Sequence, residues 1–187
     1  MTKRIFLVIA IFLIIGILVY YKIFLKPLLY FKYSGKIKKQ GNMYITSPAF
    51  GKSEIIPTKY TCDGENVNPP LIIAGVPQNS KSLVLIVEDP DAPMGTWSHW
   101  IVYNINPNVN EIKENEIPDD GIEIVNSFGT KSYGGPCPPP GPAHRYFFKI
   151  YALDTKFLEQ IQTKEELIKK MEGHIIIKSS LMGVYSR

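Results

Sequence analysis

Cysteine and histidine are scarce in this chain of 187 residues, which has two Cys and three His. It contains no His-Glu-x-x-His run, no paired Cys-x-x-Cys and no Gly-x-Ser-x-Gly. The local signatures of metal-dependent and serine-nucleophile hydrolases are therefore missing. Acidic residues are absent from residues 1–41, which hold eight of the 21 Lys and Arg. Residues 42–187 consequently carry 13 basic against 17 acidic side chains, so the formal net charge of +4 belongs entirely to the N-terminal part. An acidic remainder argues against non-specific nucleic-acid binding. No internal repeat and no coiled-coil heptad run is present.

The N-terminal part has one long apolar run, "IFLVIAIFLIIGILVYY", from Ile5 to Tyr21. As a helix it would span about 26 Å, close to the hydrocarbon thickness of a bilayer. A cleavable signal peptide would have a shorter core followed by small residues. Here Tyr20, Tyr21 and Lys22 follow, so residues 1–25 read as an uncleaved transmembrane anchor. Residues 26–41 read as a basic linker, with lysines suited to anionic headgroups. Residues 42–187 read as the folded domain. Six lysines follow the run and Lys3 and Arg4 precede it, which by the positive-inside rule places the domain in the cytoplasm. Cys62 and Cys137 could form a disulfide or stay separate thiols; two unpaired thiols is the reading favoured here.

From Asn42 onward, short apolar runs alternate with Pro, Gly and Asn clusters. "MYITS", "LIIAG", "LVLIVE", "HWIVYNI", "IEIVN" and "RYFFKIYAL" have the length and composition of strands. Most of the 15 prolines lie between them. One helix is expected after Thr163, with Glu166 completing a capping box, Leu167, Ile168 and Met171 on one face, and Gly173 at its end. A shorter helical turn is expected near Phe157–Gln160. "HIIIKSS" and "LMGVYSR" return to strand character. The fold class is mostly β with one or two late helices.

The segment "VEDPDAPMGTWSHWIVYNI" ends one strand in two aspartates and begins the next on Trp-Ser-His. Alternation puts Leu83, Leu85, Val87 and Asp89 on one face, and His99, Ile101, Tyr103 and Ile105 on one face. Trp100 then faces away from His99 and belongs to the core. "YGGPCPPPGPAHRYFFKIYAL" is built alike: a Gly/Pro loop leads to His144, Tyr146, Phe148 and Ile150 on one face. Antiparallel pairing would collect Asp89, Asp91, Trp97, His99, His144 and Tyr146 at one sheet edge. Imidazoles, a phenol and loop N–H groups can donate to anionic oxygens, and a carboxylate beside a histidine fixes its tautomer. A zwitterion such as phosphoethanolamine fits this set. On residue chemistry alone, turn-capping by Asp89 and Asp91 is an equal reading. Arg145 faces the other way and is expected to pair with a carboxylate. His174 reads as structural. A metal site at His99 and His144, or a nucleophile at Cys137 or Ser98, would make the protein an enzyme; no motif supports either, and no cofactor is required.

"DPDAP", Trp-x-His, "GPCPP" and "HRY", in that order after "YTCDGENVNPPL", resemble the phosphatidylethanolamine-binding protein family, also known for the Raf kinase inhibitor protein, and its bacterial and archaeal branch. The resemblance runs from about Tyr44 to Arg187. It implies an antiparallel β-sandwich with C-terminal helices. It also implies a ligand pocket lined by Asp89, Asp91, Ala92, Pro93, Trp97, His99, Gly135, Pro138, Pro139, His144 and Tyr146. The function implied is binding of phosphate-like anions or phospholipid headgroups, not catalysis. Inhibition of a kinase or protease through the pocket mouth is the alternative, and a metal-dependent hydrolase the third reading. Cys137 stands where the animal proteins have glycine, and the anchor departs from the mostly soluble family pattern.

Overall fold

The computed structural model describes residues 42–187. The expected anchor (1–25) and linker (26–41) lie outside the described residues. Among the described residues, no helix is long and apolar enough to cross a membrane.

The domain is mostly β. In chain order it comprises β1 (Tyr44–Thr46), a 3-10 turn (Thr58–Tyr60), β2 (Leu71–Ala74), β3 (Ser82–Asp89), β4 (Trp97–Ile105), β5 (Glu111–Ile112), β6 (Ile122–Glu123), β7 (His144–Leu153), α1 (Lys164–Met171) and β8 (Ile175–Tyr185). One sheet has the order β1-β2-β5 and the other β6-β4-β3-β7-β8. All strand pairings within both sheets are antiparallel.

The larger sheet is covered on both faces, and this explains the unbroken apolar run of β3, every residue of which is buried. One face packs on the smaller sheet. Leu83, Leu85, Val87, Phe148 and Ile150 meet Ile45, Leu71 and Ile73 there. The other face packs under α1 and the segment before it, where Val84, Ile86, Ile101 and Tyr103 meet Phe157, Leu167 and Met171. Each such side chain, fully buried, contributes about 1.5–3 kcal/mol relative to exposure. Glu88 interrupts the second face, held by Lys149 at 2.5 Å and by Lys164. Burial pushes its carboxyl up, but the two lysines outweigh that and hold it below its ordinary range.

Two register shifts in β4 change which face its residues occupy. Val87 pairs with Trp100 but Glu88 pairs with Ser98, so β4 holds one extra residue, His99. Leu83 pairs with Ile105 but Leu85 with Val102, so a second extra residue lies between. Asn104 sits there at φ 60 and bonds the backbone of Phe157 on both sides, at 2.7 and 2.9 Å. Strict alternation therefore fails. Trp100, Val102 and Ile105 face the smaller sheet, whereas Ile101 and Tyr103 face α1. The expected row His99–Ile101–Tyr103–Ile105 is not one face, and Trp100 does not turn away from His99, although it is core as expected. A bulge places consecutive residues on one side, which period-2 reasoning cannot anticipate.

The helix forms where its cap predicts. Thr163 Oγ1 accepts from Glu166 N at 3.2 Å, and Glu166 Oε2 accepts from Gln162 N at 3.1 Å. Leu167 and Met171 are buried, but Ile168 is exposed, so the buried stripe is narrower than expected. No second helix forms near Phe157–Gln160. That segment is irregular, because Phe157 enters the core while Asn104 takes both its N–H and C=O. "IEIVN" contributes a strand only at Ile122–Glu123, and the last two runs are one continuous strand, β8.

Candidate functional site

At one end of the larger sheet, β3 stops at Asp89 and β7 starts at His144. Their antiparallel pairing brings these ends together. His144 Nδ1 lies 2.7 Å from Asp89 Oδ2, with both side chains largely buried. Asp89 Oδ1 accepts from Asp91 N at 2.8 Å, which folds the chain back after the strand. The pair forms the floor of a cavity of about 290 Å³. The wall comes from Ala92, Pro93 and Met94 on one loop, Trp97 and His99 on β4, and Cys137, Pro138 and Pro139 on the Pro-rich loop, with Phe128 added from a third loop.

The bulge brings His99 to this cavity, with its ring edge-on to Tyr146 at 5.2 Å. Nδ1 of His99 lies 2.7 Å from the Gly134 carbonyl, which can only accept, so Nδ1 carries the proton. Burial pushes the imidazole down despite the Gly134 carbonyl and the Asp89 charge. The neutral ring then holds its lone pair on Nε2. His99 offers an acceptor, not the donor expected of it.

Three residues expected in the wall are elsewhere. Asp91 is gripped by Arg145, with Oδ1 2.7 Å from Nη2 and Oδ2 2.9 Å from both Nε and the backbone N. Those bonds to Arg145 hold its carboxyl down to about 2. Asp91 is thus a clamp between the first loop and β7, and it is the carboxylate Arg145 was expected to find. Gly135 does not present its N–H to a ligand; that N–H donates to Asn66 Oδ1 at 2.7 Å. Glycine is needed there because a Cβ would come within 2.4 Å of the Tyr60 carbonyl. Tyr146 lies behind His99, fully buried, and its hydroxyl has no hydrogen-bond partner. Burial and the nearby Asp89 charge push the phenol strongly up, so it stays a neutral donor.

The structure corrects the reading of the cysteines. Cys62 and Cys137 are joined in a disulfide, with Cα atoms 5.4 Å apart. Around it, Cys62 N donates to Pro136 O at 3.1 Å and Tyr133 OH to Tyr60 O at 2.9 Å. Sequence separation hid the pair; the 3-10 turn and the Pro-rich loop meet only in the folded sheet edge. A thiol nucleophile at Cys137 is thereby removed. Ser98 projects to the opposite sheet face, where it accepts from Lys164 at 3.0 Å. Among the described residues, no three His, Cys, Asp or Glu side chains are grouped to hold a metal ion. His174 pairs with Asp154 at 2.8 Å, away from the cavity residues.

Sequence reasoning missed Met94 and Phe128 as wall residues. Phe128 rests on a loop built around Asn126. Asn126 Oδ1 accepts from Phe128 N at 2.9 Å and from Thr130 N at 3.1 Å, and Nδ2 donates to Ser132 O at 2.8 Å. Its signal was the Asn-Ser-Phe-Gly run, an Asx-turn composition.

A family model described as phosphatidylethanolamine-binding protein matches residues 46–186. A UPF0098 protein of Methanothermobacter thermautotrophicus is 46% identical over 151 residues, covering 78% of this chain and 99% of that protein. One from Pyrococcus abyssi is 50% identical over 177 residues, covering 88% and 98%. Among solved structures, a phosphatidylethanolamine-binding protein homologue from Chlamydia trachomatis superposes with TM-score 0.74 at 44% identity, covering 78% of this chain and 97% of its own. Escherichia coli YbcL, described as a member of the mammalian family, superposes with TM-score 0.72 at 29% identity, covering 78% and 98%. With its two sheets, the small helix α1 and its motifs in these places, the chain belongs to the phosphatidylethanolamine-binding protein family.

Proposed function

We propose that this protein is a membrane-anchored binding protein whose cavity takes phosphate-like anions or phospholipid headgroups of the phosphoethanolamine type, without catalysing a reaction. The observation that carries it is the Asp89–His144 pair at the floor of a cavity with mostly apolar walls. His144 is the donor for an anion: with its Nδ1–H given to Asp89, the doubly protonated ring donates from Nε2, and the Asp89 carboxylate balances its charge. Binding rather than turnover is supported by the cavity's chemistry: its cysteine is in a disulfide and no serine lines it. The apolar run Ile5–Tyr21 supports the anchor. The disulfide supports a domain on the oxidising side of the membrane, against the reading of the charge flanks, because such bonds persist there outside hyperthermophile cells.

Calorimetric titration of the full chain in detergent micelles with phosphoethanolamine and with inorganic phosphate tests the reading. Binding that His144→Ala weakens about tenfold or more is expected. A folded protein that binds neither ligand overturns it. The second reading, an inhibitor of a kinase or protease, is favoured by Met94, 92% exposed at the cavity mouth. It predicts a protein partner that small anions displace.

A further inference from the structure

Phe128 belongs to none of the motifs that mark the pocket. It is 44% exposed, yet the structure around it is built to hold its ring in one place. The ring stands edge-on to Trp97 at 5.4 Å and to His99 at 5.3 Å, with interplanar angles of 77° and 72°. Its edge lies over Gly134, where a Cβ would come within 2.6 Å of two ring carbons. Asn126, itself buried, folds the loop beneath it, and its Nδ2 also donates to the His99 carbonyl at 3.2 Å. The loop is thus tied to the strand that carries the site.

Phe128 and Trp97 make an aromatic corner above the polar floor. The cavity lining contains one carboxylate, Asp89, and no Lys or Arg. A bare anion satisfies the floor alone and leaves the corner unused. A headgroup that carries carbon and an ammonium can use both, since aromatic faces attract a cation and cover its methylenes.

Resting on the function proposed above, we infer that Phe128 is a specificity-determining residue: with Trp97 it forms a subsite for the alkylammonium end of a headgroup, and so sets a preference for phosphoethanolamine over inorganic phosphate. Asn126 is the positioning residue for that ring. The subsite reads the substituent, whereas the Asp89–His144 floor reads the polar group it is attached to.

The test is competitive titration of the full chain with phosphoethanolamine, ethyl phosphate and inorganic phosphate. Glycerophosphoethanolamine, a diester as in a lipid, separates a lipid source from a free monoester. In the wild type, phosphoethanolamine is expected to bind about tenfold tighter than inorganic phosphate, with ethyl phosphate between them. Phe128→Ala should bring that ratio close to one. Phe128→Leu, which keeps apolar volume but removes the ring face, should retain the ethyl phosphate gain and lose most of the ammonium gain. Asn126→Ala, with the ring present but unsupported, should lower the ratio as well. An unchanged unfolding midpoint in Phe128→Ala separates this from a folding defect; if that midpoint falls, the Phe128→Leu ratio decides. A wild type with no preference, or a preference that survives both Phe128 substitutions, overturns the inference while leaving an anion site intact. A wild type that binds none of the four ligands overturns the proposed function as well.

Discussion

The disulfide between Cys62 and Cys137 closes a loop with a sequence separation of 75. Its main effect is on the unfolded chain, which loses the freedom to separate those ends. The chain-entropy relation gives about 4.5 kcal/mol at 25 °C for a loop of that length. The folded state changes little on removal, since backbone and side-chain bonds at Cys62–Pro136, Asn66–Gly135 and Tyr60–Tyr133 already hold the two segments together. Replacing both cysteines by serine should therefore lower the unfolding free energy by about 3–4.5 kcal/mol. That is a large part of the 5–15 kcal/mol typical of a domain. The assay is guanidinium unfolding of the double mutant against the oxidised wild type. The midpoint should fall while the slope rises, because an uncrosslinked chain exposes more surface. An unchanged midpoint would refute the reasoning. So would alkylation of two free thiols in unreduced, denatured protein, since the loop would then not be closed at all.

Two further outcomes follow from the site. Asp91 titrates at about 2 in the folded protein against 3.8 ordinarily, through its bonds to Arg145. A depressed carboxylate stabilises the fold above its unfolded value and loses that contribution as pH falls through the folded one. Arg145 is 53% exposed and Asp91 28% exposed, so screening reduces the contribution to about 1 kcal/mol. Asp91→Asn should cost that much at pH 6, measured by urea unfolding, and the gap should shrink from pH 4 to vanish near pH 2. Tyr146→Phe removes a buried hydroxyl without a hydrogen-bond partner. It should leave stability unchanged or raise it by up to about 1 kcal/mol and leave phosphoethanolamine binding unchanged, read by thermal unfolding and titration; a clear loss of stability would show that the hydroxyl is satisfied within the fold.

The floor of the site was readable because it depends on strand ends. An apolar run that stops at Asp89 and one that starts at His144 can be paired on paper, and their pairing in the sheet matches. Arg145 was readable as a carboxylate partner because it alternates with His144 and Tyr146. The face of His99 was not readable. Its place in the cavity depends on a bulge, and a bulge reverses parity without leaving a compositional mark at the extra residue. Asp91 carried a ligand role from the strand pairing and Gly135 from the resemblance, but the Asp91 carboxylate is taken by Arg145 and the Gly135 N–H by Asn66. Phe128 was invisible because its loop reaches the cavity only through Asn126 and the turn around it.

The sequence by itself determined the local properties of this protein: its strand-forming runs, the capped helix at Thr163, the apolar N-terminal span and the division of charge between the two parts of the chain. These depend on residues close together in the chain, whose spacing and chemistry act over a few bonds. Tertiary structure alone decided that Cys62 meets Cys137, that Asp91 serves Arg145, that His99 is held neutral against Gly134, and that Phe128 completes the wall. Each of these joins segments distant in the chain, and their meeting is set by the register of β3, β4 and β7, which no local pattern encodes.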